Sequence, residues 1–176
     1  MIADSRRVTK TIGLREFQQQ LAERIRVAAS QSAPSARLGV QAGSRNWLIR
    51  LDDAGEVLPL PPISPVPLTV PWFIGLANIR GNLACIIDFA AFMGESPRPS
   101  TAECRLLLVA ERYGAHSGLM VSRVIGLRNL GELQAEERGA DRAWVGAAWR
   151  ERDGTRWQEL NVGALVIHDD FLRVGV

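Results

Sequence analysis

The sequence has few of the residues from which catalytic and metal sites are built. It contains two histidines, His116 and His168, neither with a neighbouring cysteine, and no phosphate-binding or dinucleotide-binding glycine motif. Metal sites need several such ligands at suitable spacings, and adjacent residues of an extended chain point apart. We therefore interpret His168 and the two aspartates after it as a helix end followed by a turn. We expect no enzyme activity, no catalytic residues, no cofactor, no metal and no bound nucleotide.

Long apolar runs are also missing. A membrane-spanning helix takes about 20 apolar residues, and no run of that length occurs. The first residues lack the apolar core of a signal peptide. Cys85 and Cys104 lie in apolar runs and are predicted to be reduced core residues, with a disulfide as the less favoured alternative. These absences predict a cytoplasmic protein without direct membrane insertion.

Lysine is almost absent: Lys10 is the only one, and the net charge is +2. Arginine suits two-point contacts with carboxylates at protein surfaces. Tryptophans alternate with arginines near the C-terminus, a pattern that single-strand nucleic-acid surfaces also show. We favour cross-strand tryptophan packing with arginines stacked outside, and expect no nucleic-acid binding. The residues concerned are Trp144, Trp149, Trp157, Arg142, Arg150, Arg152 and Arg156.

Residues 1–36 are predicted to form an N-terminal extension. An apolar stripe at helical spacing predicts an amphipathic helix over 14–29, and a Ser/Ala/Pro linker follows it. We expect this helix to pack on the rest of the chain, with binding to a partner as the alternative. The stripe consists of Leu14, Phe17, Leu21, Ile25 and Ala28.

The remaining chain predicts a mainly β fold of about nine short strands at hairpin spacing. Glycines are expected to bend the long strand 117–127, and the polar stretch 129–141 is expected to be a loop. The Pro-rich segment 59–71 is predicted to be a stiff connector, with a ligand for Pro-binding domains as the alternative. The strands are expected at 38–42, 47–51, 57–60, 74–79, 83–87, 105–110, 117–127, 143–152 and 155–160.

Residues 70–94 form the most informative stretch. Two apolar strands, expected to be covered on both faces, flank the turn Arg80-Gly81-Asn82, in which Gly81 and Asn82 are predicted to take positive φ. Asp88 is predicted to cap a short helix that stops at Gly94. Asn161 is predicted to cap a second short helix that ends near Ile167.

This stretch resembles the CheW-like domain, the adaptor module of bacterial chemotaxis arrays. The resemblance can be followed more loosely from Leu38 to Leu165, and the N-terminal extension looks like the PilI type, the adaptor of the type IV pilus chemosensory system. It implies two five-stranded antiparallel barrel-like subdomains packed together over 37–165, with a tail at 166–176. The matching positions are Trp72, Phe73, Gly75, Asn78, Ile79, Arg80, Gly81, Ile86, Ile87, Asp88, Phe89, Phe92 and Gly94.

The resemblance implies a non-catalytic adaptor between the cytoplasmic tip of a methyl-accepting chemoreceptor and the regulatory domain of a CheA-type histidine kinase. Such an adaptor would act at receptor arrays on the inner membrane and control twitching motility. Many relatives have an acidic residue near the turn arginine where this chain has Pro59, so Arg80 is expected to have another partner or none. The alternative is a small β-barrel that binds an unrelated peptide or single-stranded nucleic acid. Carried onto this chain, the protein-binding residues are Arg80, Val57, Leu60, Leu119, Val121 and Val124.

Overall fold

The structure is a computed structural model that describes residues 35–96, 100–137 and 142–176. The predicted helix over 14–29 and its linker up to residue 34 lie outside the described residues. Within them, eleven strands and three short α-helices are present, together with three single-turn 3-10 helices. The strands are β1 Ala36–Ala42, β2 Arg45–Arg50, β3 Ala54–Pro59, β4 Phe73–Ile79, β5 Asn82–Asp88, β6 Arg105–Val109, β7 Ser117–Val121, β8 Arg123–Asn129, β9 Gln134–Glu136, β10 Val145–Arg150 and β11 Arg156–Leu160. The helices are α1 Phe89–Phe92, α2 Val162–Val166 and α3 Asp169–Leu172.

The strands form two sheets, which confirms the mainly β fold and agrees with the two subdomains that the resemblance implies. One sheet has six strands in the order β8-β1-β2-β11-β10-β9, and the other has five in the order β3-β6-β7-β5-β4. Both sheets are mixed rather than antiparallel throughout, because β2 pairs with β11 and β5 with β7 in parallel. The five-stranded count is therefore right for one sheet, and the other contains one strand more.

The predicted long strand over 117–127 is two strands that belong to different sheets. The chain leaves the five-stranded sheet after β7 and enters the six-stranded sheet at β8, with Ser122 between them. The backbone N–H of Ser122 donates to the Gln41 carbonyl at 2.7 Å. Gly126 has a φ of 123° and lies at a register shift between β1 and β8, so the predicted glycine irregularity is present there. The polar stretch 129–141 was expected to be a loop, but it contains the short strand β9.

The two sheets share one aromatic core. Trp47 of β2 packs edge-on against Phe89 of α1, with ring centroids 5.2 Å apart. Trp144 lies 5.4 Å from Phe92 and 6.3 Å from Trp47. Phe171 of α3 joins this group at 5.6 Å from Phe92, so the C-terminal residues contribute to the core. Helix α1 therefore lies where it can join one sheet to the other.

Two predicted helix caps are confirmed. Oδ1 of Asp88 accepts a hydrogen bond of 3.1 Å from the backbone N–H of Ala91, at the start of α1. Oδ1 of Asn161 accepts one of 3.0 Å from Ala164, at the start of α2. Both bonds satisfy backbone donors that a helix start leaves without an intrahelical partner.

The Pro-rich segment is a connector that covers the second face of the five-stranded sheet. Ser64 exchanges two backbone hydrogen bonds with Leu76 of β4, at 2.8 and 2.9 Å. Leu60 and Ile63 pack on a small cluster formed by Ala77, Ala84, Ile86 and Leu106. Both faces of this sheet are thus largely covered, as its apolar strands predict.

Candidate protein interface

The β4–β5 hairpin ends in a two-residue turn, since Ile79 pairs with Asn82. Arg80 and Gly81 have positive φ angles of 52° and 91°, as the hairpin turn that matches strand twist requires. The prediction is therefore wrong for Asn82, which begins β5, and Arg80 takes the left-handed position instead. Oδ1 of Asn78 stabilises the turn, because it accepts a hydrogen bond of 2.7 Å from the backbone N–H of Gly81.

The guanidinium of Arg80 contacts a carboxylate on β3. Its Nη2 donates to Oε1 of Glu56 at 2.6 Å. The hairpin and β3 stand at opposite edges of the five-stranded sheet, so this contact requires the sheet to be strongly curved. The expected departure from the family pattern is thus resolved: Pro59 carries no charge, and Glu56 is the partner of Arg80. Sequence reasoning missed Glu56, although it is the only acidic residue between Ala54 and Leu60.

The ion pair is open to solvent. The side chain of Arg80 is 74% exposed and that of Glu56 is 38% exposed. An exposed pair of this kind contributes at most about 1 kcal/mol to folding. Arg80 is therefore accessible to another molecule.

A small hollow of about 150 Å³ lies beside the ion pair. Leu83 of β5 stands at this hollow and is 62% exposed, although its strand was predicted to be covered on both faces. An exposed leucine next to a solvated arginine is a combination that protein interfaces use, because the apolar side chain excludes water from the charged contact. The lining includes Glu56, Ile79, Arg80, Leu83, Leu108 and His116.

The other predicted binding residues do not form one groove with Arg80. Leu119 and Val121 are each 1% exposed in the core between the sheets, so their side chains have no surface to offer a partner. Val57 is exposed on the edge strand β3, and Leu60 is half-buried on the outer cluster. Val124 lies on β8 of the other sheet and packs against the inter-sheet core. Val57, on the edge strand β3, and Arg80, on the hairpin at the opposite edge of the sheet, remain as the exposed candidates among these residues.

The described residues contain little that suggests catalysis. Among them, no group of three or more His, Cys, Asp and Glu side chains is placed to hold a metal ion. Both cysteines carry thiols, as predicted, and burial raises the pKa of Cys85, which makes that thiol less reactive. Nδ1 of His168 accepts a hydrogen bond of 3.3 Å from the backbone N–H of Asp170, so His168 caps a helix start. The turn expected at the two aspartates is therefore wrong, because they begin helix α3.

The tryptophans are packed and do not form a base-stacking surface. Trp144 and Trp157 are each 1% exposed, and Trp149 pairs with Trp157 across β10 and β11. Arginines cover two of the rings. Arg142, one of the predicted arginines, lies 5.4 Å from the ring centroid of Trp144, whereas the ring of Trp157 is covered at 5.2 Å by Arg128, which was not among them. Single-strand binding needs exposed aromatic faces, which these two rings lack.

Comparisons with known proteins agree with this fold. The sequence model of the CheW-like domain matches residues 37–170. Protein PilI of Pseudomonas aeruginosa is 30% identical over 145 residues, 79% of this chain and 79% of that protein. The crystal structure of the scaffolding protein TtCheW from Thermoanaerobacter tengcongensis has a TM-score of 0.64 at 18% identity, covering 77% of this chain and 94% of that one. No helix in the described parts of the chain is long and apolar enough to span a bilayer.

Proposed function

The chain belongs to the CheW-like domain family, and from this premise we propose that it is a non-catalytic adaptor in a chemosensory system that controls type IV pilus twitching motility. Its two partners are the cytoplasmic tip of a methyl-accepting chemoreceptor and the regulatory domain of a CheA-type histidine kinase. The place of action is the cytoplasmic side of receptor arrays at the inner membrane.

The exposed tip of the β4–β5 hairpin supports this proposal best. It presents the charged Arg80 and the apolar Leu83 on a sheet whose two faces are otherwise packed. Such a tip is strained in the isolated protein, because an arginine rarely adopts a positive φ. The strain at Arg80 is explained if a partner covers the hairpin tip. Interface hot spots are enriched in arginine, which supports this explanation.

Pairwise binding tests the proposal. Calorimetric titration of the receptor signalling fragment and of the kinase regulatory domain from the same organism should give saturable binding of both. Arg80→Ala should weaken at least one of them by roughly 30-fold or more, the effect of losing a hot spot worth about 2 kcal/mol.

Arg152→Ala is the matched control, because Arg152 is an exposed arginine on the β10–β11 turn of the other sheet. It should bind like wild type. Absence of binding to both partners would reject the adaptor function. Binding that is equal for wild type and Arg80→Ala would place the interface elsewhere on the chain.

A further inference from the structure

A cavity of about 270 Å³ lies at the end of the five-stranded sheet that is opposite to the Arg80 hairpin. Asp88 and Met120, which pair across the parallel strands β5 and β7, both line it. Met120 and Val121 supply apolar wall and are 8% and 1% exposed. The cavity is therefore separate from the surface discussed above.

Asp88 contributes a buried carboxyl to this cavity, since it is only 4% exposed. The cap of helix α1 uses Oδ1, which accepts from the backbone N–H of Ala91. That cap does not require a charge, because asparagine caps a helix as well as aspartate does. Burial raises the pKa of the carboxyl, and the like charge of Glu95 acts in the same direction. A charged group is thus costly here, and the fold alone gives no reason for it.

The polar lining of the cavity has a negative net charge. The charged side chains among the described residues that line it are two carboxylates and one guanidinium. The second carboxylate is that of Glu103, which is exposed. The guanidinium belongs to Arg123, whose Nε donates to Oε1 of Gln41 at 2.7 Å. Apolar walls combined with a buried carboxylate suit a lysine or an arginine, because these side chains carry a cation on an apolar stem.

We propose that this cavity binds a lysine or arginine side chain of a second protein, with Asp88 as its counter-ion. The apolar stem packs against Met120 and Val121, and the cationic head donates a charge-assisted hydrogen bond to the carboxylate. Such a cation offsets the cost of burying the carboxylate, which explains why a charge is present at a helix cap. The proposal does not depend on the function proposed above.

Blocked amino acids test the site without knowledge of the partner. Nα-acetyl-lysine methylamide and Nα-acetyl-arginine methylamide carry charge only on their side chains. Titration followed by backbone amide NMR shifts should saturate for at least one of them, with the largest changes around Asp88 and Met120. Nα-acetyl-norleucine methylamide has a similar stem without the charge and should bind roughly 10-fold more weakly or less. Asp88→Asn keeps the helix cap and should weaken binding of the charged probe by roughly 10-fold or more.

Asp52→Asn is the matched control, because Asp52 is an exposed aspartate in the turn between β2 and β3 and does not line the cavity. It should bind the charged probe like wild type. The proposal is wrong if neither blocked amino acid binds saturably, or if Asp88→Asn binds as wild type does. An equal loss in Asp52→Asn would show an unspecific charge effect and would also reject it. Binding of n-butylammonium without binding of blocked lysine would mean that the cavity takes a free amine, which overturns the assignment to a protein side chain.

Discussion

Arg80 shows how a single residue can be unfavourable for the fold and still be retained. Its left-handed backbone costs about 1–2 kcal/mol relative to the ordinary conformation. Its exposed ion pair with Glu56 returns at most about 1 kcal/mol. The net effect on folding is therefore small.

We expect the free energies of unfolding of Arg80→Asn and Arg80→Gly to lie within about 1 kcal/mol of the wild-type value, because relief of the backbone strain offsets the lost ion pair. Urea unfolding monitored by tryptophan fluorescence measures the difference. A loss of several kcal/mol in both variants would show that Arg80 is a structural residue and that its exposure is misleading.

The buried carboxyl of Asp88 should make the free energy of unfolding depend on pH. Burial raises the pKa of its carboxyl above the usual value, although the N–H groups of Ala91 and Ala90 act in the opposite direction. In the unfolded chain the carboxyl titrates near the ordinary aspartate pKa of about 3.9. Because the folded pKa is higher, the free energy of unfolding falls as the pH rises from about 3.9 through the folded pKa.

Asp88→Asn should keep the helix cap, since asparagine accepts the same hydrogen bond, and should remove this part of the pH dependence. At neutral pH we expect it to be at least as stable as wild type, whereas Asp88→Ala should lose about 1 kcal/mol with the cap. Unfolding curves across the acidic to neutral range provide the measurement. If the free energy of unfolding of Asp88→Asn depended on pH as steeply as that of wild type, Asp88 would not be the cause of the pH dependence.

In strand β7, a glycine is needed because the neighbouring strand leaves no room for a side chain. The sequence predicted that the glycines of 117–127 bend one long strand, but Gly118 lies in the straight part. A Cβ at Gly118 would lie 2.6 Å from Cδ1 of Leu106 on the neighbouring strand β6. The glycine therefore allows the outer cluster to pack closely over β7.

Gly118→Ala should cost about 1–3 kcal/mol through overpacking. Gly131→Ala is its control, because a Cβ there would meet only Oδ1 of Asn129 at 3.4 Å, an ordinary contact. Thermal melts of the two variants give the comparison. Equal melting temperatures would show that Leu106 can move away at little cost.

The elements that sequence predicts well are the ones with local signals. The caps at Asp88 and Asn161 and the hairpin at Gly81 depend on residues within three positions of one another. The division of 117–127 between two sheets depends on which distant strands pair with each half, which periodicity does not report. The contact of Arg80 with Glu56 spans 24 positions and exists because the sheet is curved. The burial of Leu119 and Val121 likewise depends on how the two sheets pack.

The part of the chain from Ala36 to Val176 is expected to unfold as one unit, because both sheets share the Trp47, Phe89 and Trp144 core. Phe89→Ala should cost about 3–5 kcal/mol. Leu127→Ala, at a side chain 62% exposed, should remain within about 0.5 kcal/mol of wild type. Urea curves from fluorescence and circular dichroism should coincide for wild type and for both variants. Two separate transitions would show that the sheets are stable independently.

Bridging of a receptor and a kinase is the central claim, and reconstitution tests it most directly. Receptor signalling fragments displayed on vesicles can be sedimented with the kinase, in the presence and in the absence of this chain. We predict that the kinase sediments with the receptor only when the chain is added, and that Arg80→Glu abolishes this effect while Arg152→Glu does not. Kinase that sediments equally well without the chain, or that stays in solution when the chain is present, would contradict the claim.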